Sequence, residues 1–259
     1  MTDAQAWFAK ESDSSGGWSV EVLDDHLGAF GGTFGGFIAA YCVNVARTAD
    51  PAKVPFAVDA HFLRPLPAGR ARFVPTIVRS GRSLTIVEVD VYAPDGRLSG
   101  RTIVSLVAAG SLKDRDHPGA ELSPPGVRSW QDGKPFRQPP GMRAPILDTF
   151  SPRAVGRGER GSGTAIPAPW TDGGHGAEAA CLAADLSVGS PVALAFRDDP
   201  TPAPNPNISL RLVTDEVGPH VLAMARLEGI HAGVATIRIE LWTADQFMGI
   251  GACSSLLVR

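Results

Sequence analysis

Adding 150 to the residue numbers from Val58 to Ala108 lays apolar positions on apolar positions without a gap: Val58 on Ile208, Ile77 on Leu227, Val87 on Ile237, Val89 on Ile239, Val91 on Leu241, Leu98 on Met248, Leu106 on Leu256. Identities are few (Asp95/Asp245, Ser105/Ser255, Leu106/Leu256), so the match is one of pattern. An internal repeat restricts the fold more than any single motif, because each copy must be a unit that completes its core against the other.

Each copy reads as strands. SLTIVEVDVYA alternates apolar and polar residues, as a sheet covered on one face requires. APDGR follows, with Asp-Gly as a hairpin signal, and LSGRTIVSLVAA returns. VATIRIELW, TADQF and MGIGACSSLLV repeat the plan with Asp-Gln at the turn. Ahead of each meander lies a helix candidate. GGTFGGFIAAYCVNVARTAD is apolar almost all round and so belongs inside. HGAEAACLAADLSVG is the second, with a stop expected at Gly189 and Ser190-Pro191. WSVEVL is a short strand before the first helix, and the second half's first strand is expected near Ile146 to Val155. The expected α+β architecture is a central helix wrapped by a curved four-stranded antiparallel meander, twice over, with the halves joined edge to edge. Residues 1–110 form the first half, 111–144 a Pro-, Gly- and Arg-rich linker, and 145–259 the second half.

The chain has 259 residues, 44% hydrophobic and 20% charged, with net charge -3, an average globular balance. No basic stripe with aromatics appears, so a nucleic-acid partner is not expected. The N-terminus lacks a secretory pattern, and Gly35 to Ala46 is too short to span a bilayer. Cys42, Cys181 and Cys253 are far apart and form no CxxC pair, which suits a reducing compartment; the expected location is cytoplasmic. The six histidines have no metal spacing, and neither a metal nor a cofactor is expected.

Three features bear on chemistry. GRGERG at 156–161 matches the dinucleotide fingerprint in form, but SGTAIPAPW after it cannot be the helix that would meet a pyrophosphate. Asp185 lies seven residues after Glu178, on the same helical face, among small apolar neighbours. A carboxylate there is costly unless it is paired or faces a cleft, where it can act as a base; the plain alternative is a solvated helix-end aspartate. FGGTFGG, from Phe30 to Gly36, opens the first helix, and its glycines either admit a ligand to backbone N–H groups near Gly32 and Thr33 or allow close packing on the sheet.

FGGTFGGFIAA, HFLRPLPAG and RSGRSLTIVEVDVYAPDGRL together resemble the acyl-CoA thioesterase II family, over nearly the whole chain. The resemblance implies a double hot-dog fold and hydrolysis of acyl-CoA to free acid and CoA. In that family an aspartate, a threonine and a glutamine hold the attacking water. The aspartate falls on Asp185; the threonine position is filled by Asn205 and the glutamine position by Ser254, while Asn207 takes a place that the family usually fills with aspartate and becomes a candidate for substrate binding. Arg64 and Arg82 become candidates for the CoA phosphates. Because two of the three positions are replaced, a non-catalytic acyl-CoA or acyl-ligand binding protein is the competing expectation. A hydratase is disfavoured, since no histidine follows Asp185 until His220. Further sheet or helix packing into a homo-oligomer is also expected.

Overall fold

The computed structural model describes residues 7–113, 130–136, 143–158, 161–168, 170, 174–243 and 246–258. The first half contains β1 (Glu11–Ser12), β2 (Trp18–Val22), the helix α1 (Gly35–Ala49), β3 (Val54–Phe62), β4 (Gly69–Ser80), β5 (Leu84–Tyr92) and β6 (Leu98–Val107). Then come β7 (Lys134–Pro135), α2 (Ile146–Phe150), β8 (Arg153–Gly158), β9 (Gly161–Pro167), α3 (Gly176–Ser187), α4 (Gly189–Ala195), β10 (Asn207–Leu212), β11 (His220–His231), β12 (Val234–Thr243) and β13 (Gln246–Leu256).

The strands form one 13-stranded antiparallel sheet in the order β1-β2-β4-β5-β6-β3-β10-β13-β12-β11-β9-β8-β7. The repeat is written into that order: 2-4-5-6-3 runs inward from one side and 9-11-12-13-10 from the other. Bulges fall at Ile77/Arg79 in β4 and Leu227/Gly229 in β11, again 150 residues apart. The halves join where β3 pairs with β10, Asp59 opposite Ser209 and Val58 opposite Leu210. Each half's inner edge therefore finds a partner in the other. This is the α+β double hot-dog architecture.

Alternation builds the sheet. On β5, Thr85, Val87, Val89 and Val91 point inward and are buried, with partly exposed residues between them. On α1, every residue from Gly36 to Ala46 is buried, because the sheet wraps it on one side and α3 packs on the other. Complete burial of one such side chain contributes roughly 1.5–3 kcal/mol, so this inner face supplies most of the driving force.

The structure corrects four expectations. The meander has three strands, not four: β4-β5-β6 are consecutive, while β3 crosses to the far side of β6 to reach the other half. Within Ile146 to Val155 only the end is strand, β8 from Arg153, while Ile146–Phe150 is helical; the second-half counterpart of β2 is β9, which pairs with β11 as β2 pairs with β4. α3 ends at Ser187, as the stop expected at Gly189 requires, but Gly189-Ser190-Pro191 then opens a further helix, α4, since a proline in a first helical turn sacrifices only an N–H that lacks a partner anyway. By length and composition alone Gly176–Ala195 could cross a membrane; here it supplies two helices of a largely buried core stretch.

The fourth correction concerns register. Val87 faces Val104 across β5 and β6, and Ile237 faces Cys253 across β12 and β13. Ile237 is Val87 plus 150, but Cys253 is Val104 plus 149. The β12–β13 connection is one residue shorter than its counterpart, Trp242 facing Phe247 where Tyr92 faces Leu98. A one-residue slip exchanges the two faces of a strand. Buried Leu106 thus corresponds to buried Ser255, and the half-exposed Ser105 to Ser254. The Asp-Gln turn of the repeat begins at Asp245, outside the described residues.

GRGERG falls on the β8–β9 hairpin, where Gly158 pairs with Gly161. A strand follows it, so no helix N-terminus is available for a pyrophosphate.

Candidate active site

Asp185 is 6% exposed, near the C-terminal end of α3. Its Oδ2 accepts the Gly36 amide at 2.6 Å, from the first turn of α1, and its Oδ1 accepts the Asn205 Nδ2 at 2.5 Å, from the chain entering β10. One carboxylate is thereby held by a helix start of the first half and a strand entry of the second. Burial disfavours the anion and dominates, pushing the Asp185 carboxyl up to about 6, while the Asn205 and Gly36 hydrogen bonds pull it down.

The glycines of the FGGTFGG run serve close packing. A Cβ on Gly36 would lie 2.7 Å from the Cys181 carbonyl oxygen and 2.9 Å from the Asp185 Cβ, and only a residue without one lets α1 bring its amide to the carboxylate. At Gly35 a Cβ would meet the Phe62 ring at 2.6 Å, and at Gly32 the Pro65 backbone at 2.9 Å. α1 begins at Gly35, so Gly32 and Thr33 lie in the preceding loop. The Thr33 amide and hydroxyl both donate to the Leu66 carbonyl, at 2.7 Å each, and the Phe34 amide donates to the His26 carbonyl. Thr33 is therefore not a free donor for an oxyanion. The Gly35 amide, first in the helix, has no intrahelical acceptor by position and lines the cleft.

Asp185, Gly35 and Asn205 line a mainly apolar cleft of about 1520 Å³. Ile146, Leu147, Val155, Leu186, Val188 and Val192 give it apolar walls. Gly32, the exposed Arg64 and Arg197 and the proline-rich run Pro200 to Pro206, which carries Asn205, complete its lining. Exposed cations thus stand beside apolar walls.

The other expected residues are distributed less favourably. Asn207 does not line the cleft; its Oδ1 accepts the Ser254 amide at 2.9 Å and clamps β10 to β13. Ser254 lies between inward-facing Cys253 and Ser255 on the opposite face of β13, so its hydroxyl is not directed at Asp185. Instead Cys253 lies within electrostatic range: burial pushes its thiol up to about 12, and the Asp185 charge adds to the effect. Arg64 is exposed, its Nη1 donating to the Leu98 carbonyl at 2.9 Å. Arg82 is in the β4–β5 hairpin, outside the cleft, because RSGRS is the turn between those strands. Glu178, on the same helical face as Asp185, goes to an ion cluster: Arg47 contacts it at 2.7 Å and Asp215 at 2.7 Å, and His175 lies 3.1 Å from it. The sequence reading missed Gly36 as the partner of Asp185. The signal was there in the second Gly-Gly of the run, one residue into a buried helix.

Residues 23–110 match the family model described as the acyl-CoA thioesterase N-terminal domain. Among curated proteins none matches the chain. Among solved structures, a protein provisionally called a thioesterase from Novosphingobium aromaticivorans DSM 12444 is 21% identical, with 97% of this chain and 99% of that one covered and a TM-score of 0.80. A conserved hot-dog protein of unknown function from Alicyclobacillus acidocaldarius is 18% identical, covering 100% and 99%, with a TM-score of 0.79. An acyl-CoA thioesterase II, TesB2, from Mycobacterium marinum is 16% identical, covering 98% of each chain, with a TM-score of 0.72. The family match is thus confined to residues 23–110, while along its whole length the chain has the double hot-dog fold of thioesterase II structures.

Proposed function

We propose that the chain hydrolyses acyl-CoA thioesters to a free carboxylic acid and CoA, with Asp185 as the base. The observation that carries this reading is a buried carboxylate, raised to about 6, held between a helix-start amide and an asparagine in the lining of an apolar cleft. A base of that strength is ionised at neutral pH yet still takes up a proton as a nucleophile forms.

In this mechanism the acyl chain lies along the apolar walls and the CoA portion leaves past Arg64 and Arg197. A water held by Asp185 and the Asn205 side-chain carbonyl attacks the thioester carbon while its proton passes to Asp185. The oxyanion that forms is received by the Gly35 amide and the positive end of α1. Collapse of that intermediate breaks the C–S bond, and the thiolate leaves as CoA thiol, recovering the proton. Ser254 has no part in this scheme. The narrower donor set argues for modest turnover, because a water displaced by about 1 Å can cost about two orders of magnitude.

A second reading, acyl-CoA binding without hydrolysis, is favoured by one observation: both Asp185 oxygens already accept a protein donor. Each carboxylate oxygen has a further lone pair, so a water still fits. Release of free CoA from a panel of acyl-CoAs, compared between the native chain and Asp185→Ala, decides between them. Hydrolysis that is lost in the variant supports the proposal; saturable binding without release of CoA replaces it with the second reading, and unchanged turnover in the variant removes Asp185 from the mechanism.

A further inference from the structure

The duplication provides a second seam. Asp185 stands nine residues after Gly176, the first residue of α3, and Asn44 stands nine residues after Gly35, the first residue of α1. The second residue of each helix donates its amide to a carboxylate: Gly36 to Asp185 at 2.6 Å, and Ala177 to Asp215 at 3.0 Å. The mate of the Asp185 seam is thus the region where Asn44 of α1 meets the start of α3.

Where the first seam has a cleft, the second holds the chain's own N-terminal segment. The Lys10 ammonium donates to the Asn44 Oδ1 at 2.5 Å, although burial lowers its pKa against the pull of Glu178. The Tyr41 hydroxyl donates to the Trp7 carbonyl at 3.0 Å. Phe8 is 2% exposed; its ring lies 5.1 Å from Tyr41, 5.3 Å from Trp170 and 6.2 Å from His175, the residue just before α3. His175 is the counterpart of Phe34, which borders the first cleft beside Asp185. The Phe8 ring and the Lys10 head therefore occupy the mate of the place where the first seam offers apolar walls and a polar end, while the Trp7 ring packs beyond them on Phe37 and Phe150.

The attachment of this segment to the sheet is slight. β1 pairs with β2 over two residues, Glu11 with Ser19 and Ser12 with Trp18, at the outer edge. Side chains hold Trp7–Lys10 in place, so the segment can leave without opening the ladder behind it.

We infer that the second seam is an acyl-binding site closed by Trp7–Lys10, which stands in for an apolar chain with a hydrogen-bonding head. Its ligand class is an acyl chain whose carbonyl end meets Asn44. With an amide in place of the carboxylate, this site binds without hydrolysing. The inference rests on the reading of the first seam as an acyl cleft.

The test is calorimetric titration of the full chain with 2-oxoheptadecyl-CoA, a ketone that keeps the acyl carbonyl but has no thioester bond to hydrolyse, using the native protein and the Trp7→Ser/Phe8→Ser variant. One equivalent is expected to bind the native chain tightly and a second only at much higher concentration, because Trp7–Lys10 must first leave; the variant is expected to bind two tightly, with the first affinity retained within a few-fold. A variant that keeps the first site but still binds one equivalent overturns the inference and leaves the first-seam reading intact. A native chain that binds none overturns both. Hydrogen exchange on the native chain, at rising probe concentration, is independent of how the variant folds. Residues 7–12 are expected to lose protection while β2–β6 keep theirs; residues 7–12 that stay protected at saturating probe, or that open only together with α1, overturn the inference.

Discussion

The Asp185 carboxylate accepts the Gly36 amide at 2.6 Å, so a carboxylate near the end of one half's central helix closes against the first turn of the other's. This contact requires the close approach of α1 at Gly36 to α3 at Cys181 and Asp185. It couples the architecture to the acidity of the buried carboxylate that borders the apolar cleft beside Asn205.

If Asp185 is the base, kcat/KM rises with pH through about 6, with unit slope below it, because only the ionised carboxylate can accept the proton. A pH–rate profile on any turned-over acyl-CoA checks this. A limb centred near 4 would mean that the burial of Asp185 is not what sets the profile.

The same shift bears on stability, with the opposite sign. The folded carboxyl holds its proton up to about 6, the unfolded one only to 3.8, so the folded state loses stability as pH rises from about 4 to about 6. The two-unit difference corresponds to roughly 3 kcal/mol. Urea titrations at pH 4 and pH 7 are expected to show this decline in the native chain and to lack it in Asp185→Asn.

Asn205→Asp puts a second carboxyl 2.5 Å from Asp185. Two such groups share one proton rather than ionise together, so the rising limb of the pH–rate profile moves upward by about one unit or more. Asn205→Ala, which removes only a donor to the anion, shifts it in the same direction by less.

Gly36→Ala brings a methyl group within 2.7 Å of the Cys181 carbonyl oxygen, where the obstacle is backbone and cannot rotate away. Overpacking of this kind costs typically about 1–3 kcal/mol. Turnover should fall further than stability does, since the shift of α1 also carries the Gly35 and Gly36 amides away from the site. Chemical denaturation alongside steady-state rates separates the two effects.

Arg47→Met removes the cation from Glu178, whose carboxyl is fully buried and, despite that burial, held near 2 by His175 and Arg47. Stranding a buried carboxylate costs about 3–5 kcal/mol. A loss of unfolding free energy of that size is expected in urea titration, and a loss under about 1 kcal/mol would show the cluster to be solvated.

Much of the molecule was readable from residue order alone. The strict alternation of SLTIVEVDVYA, the apolar run of α1 and the 150-residue repeat are local properties, because a strand or helix face follows from the spacing of side chains along one segment. Asp185 stood out for the same reason: a carboxylate among alanines on a buried helix needs a partner. What those patterns could not contain was the partner itself. Gly36 lies 149 residues away, and its role depends on how closely two helices approach.

The sequence by itself determined two copies of one helix-and-sheet unit, the burial of both helices and the anomaly at Asp185. The tertiary structure decided which strand edges meet, that β3 crosses to β10, and that one residue fewer in the β12–β13 connection turns Ser254 away and Cys253 inward. It also decided that the N-terminal segment lies against Asn44. These are outcomes of distance and register between segments far apart in the chain, where a shift of one residue reverses a whole strand face while leaving the apolar pattern almost unchanged.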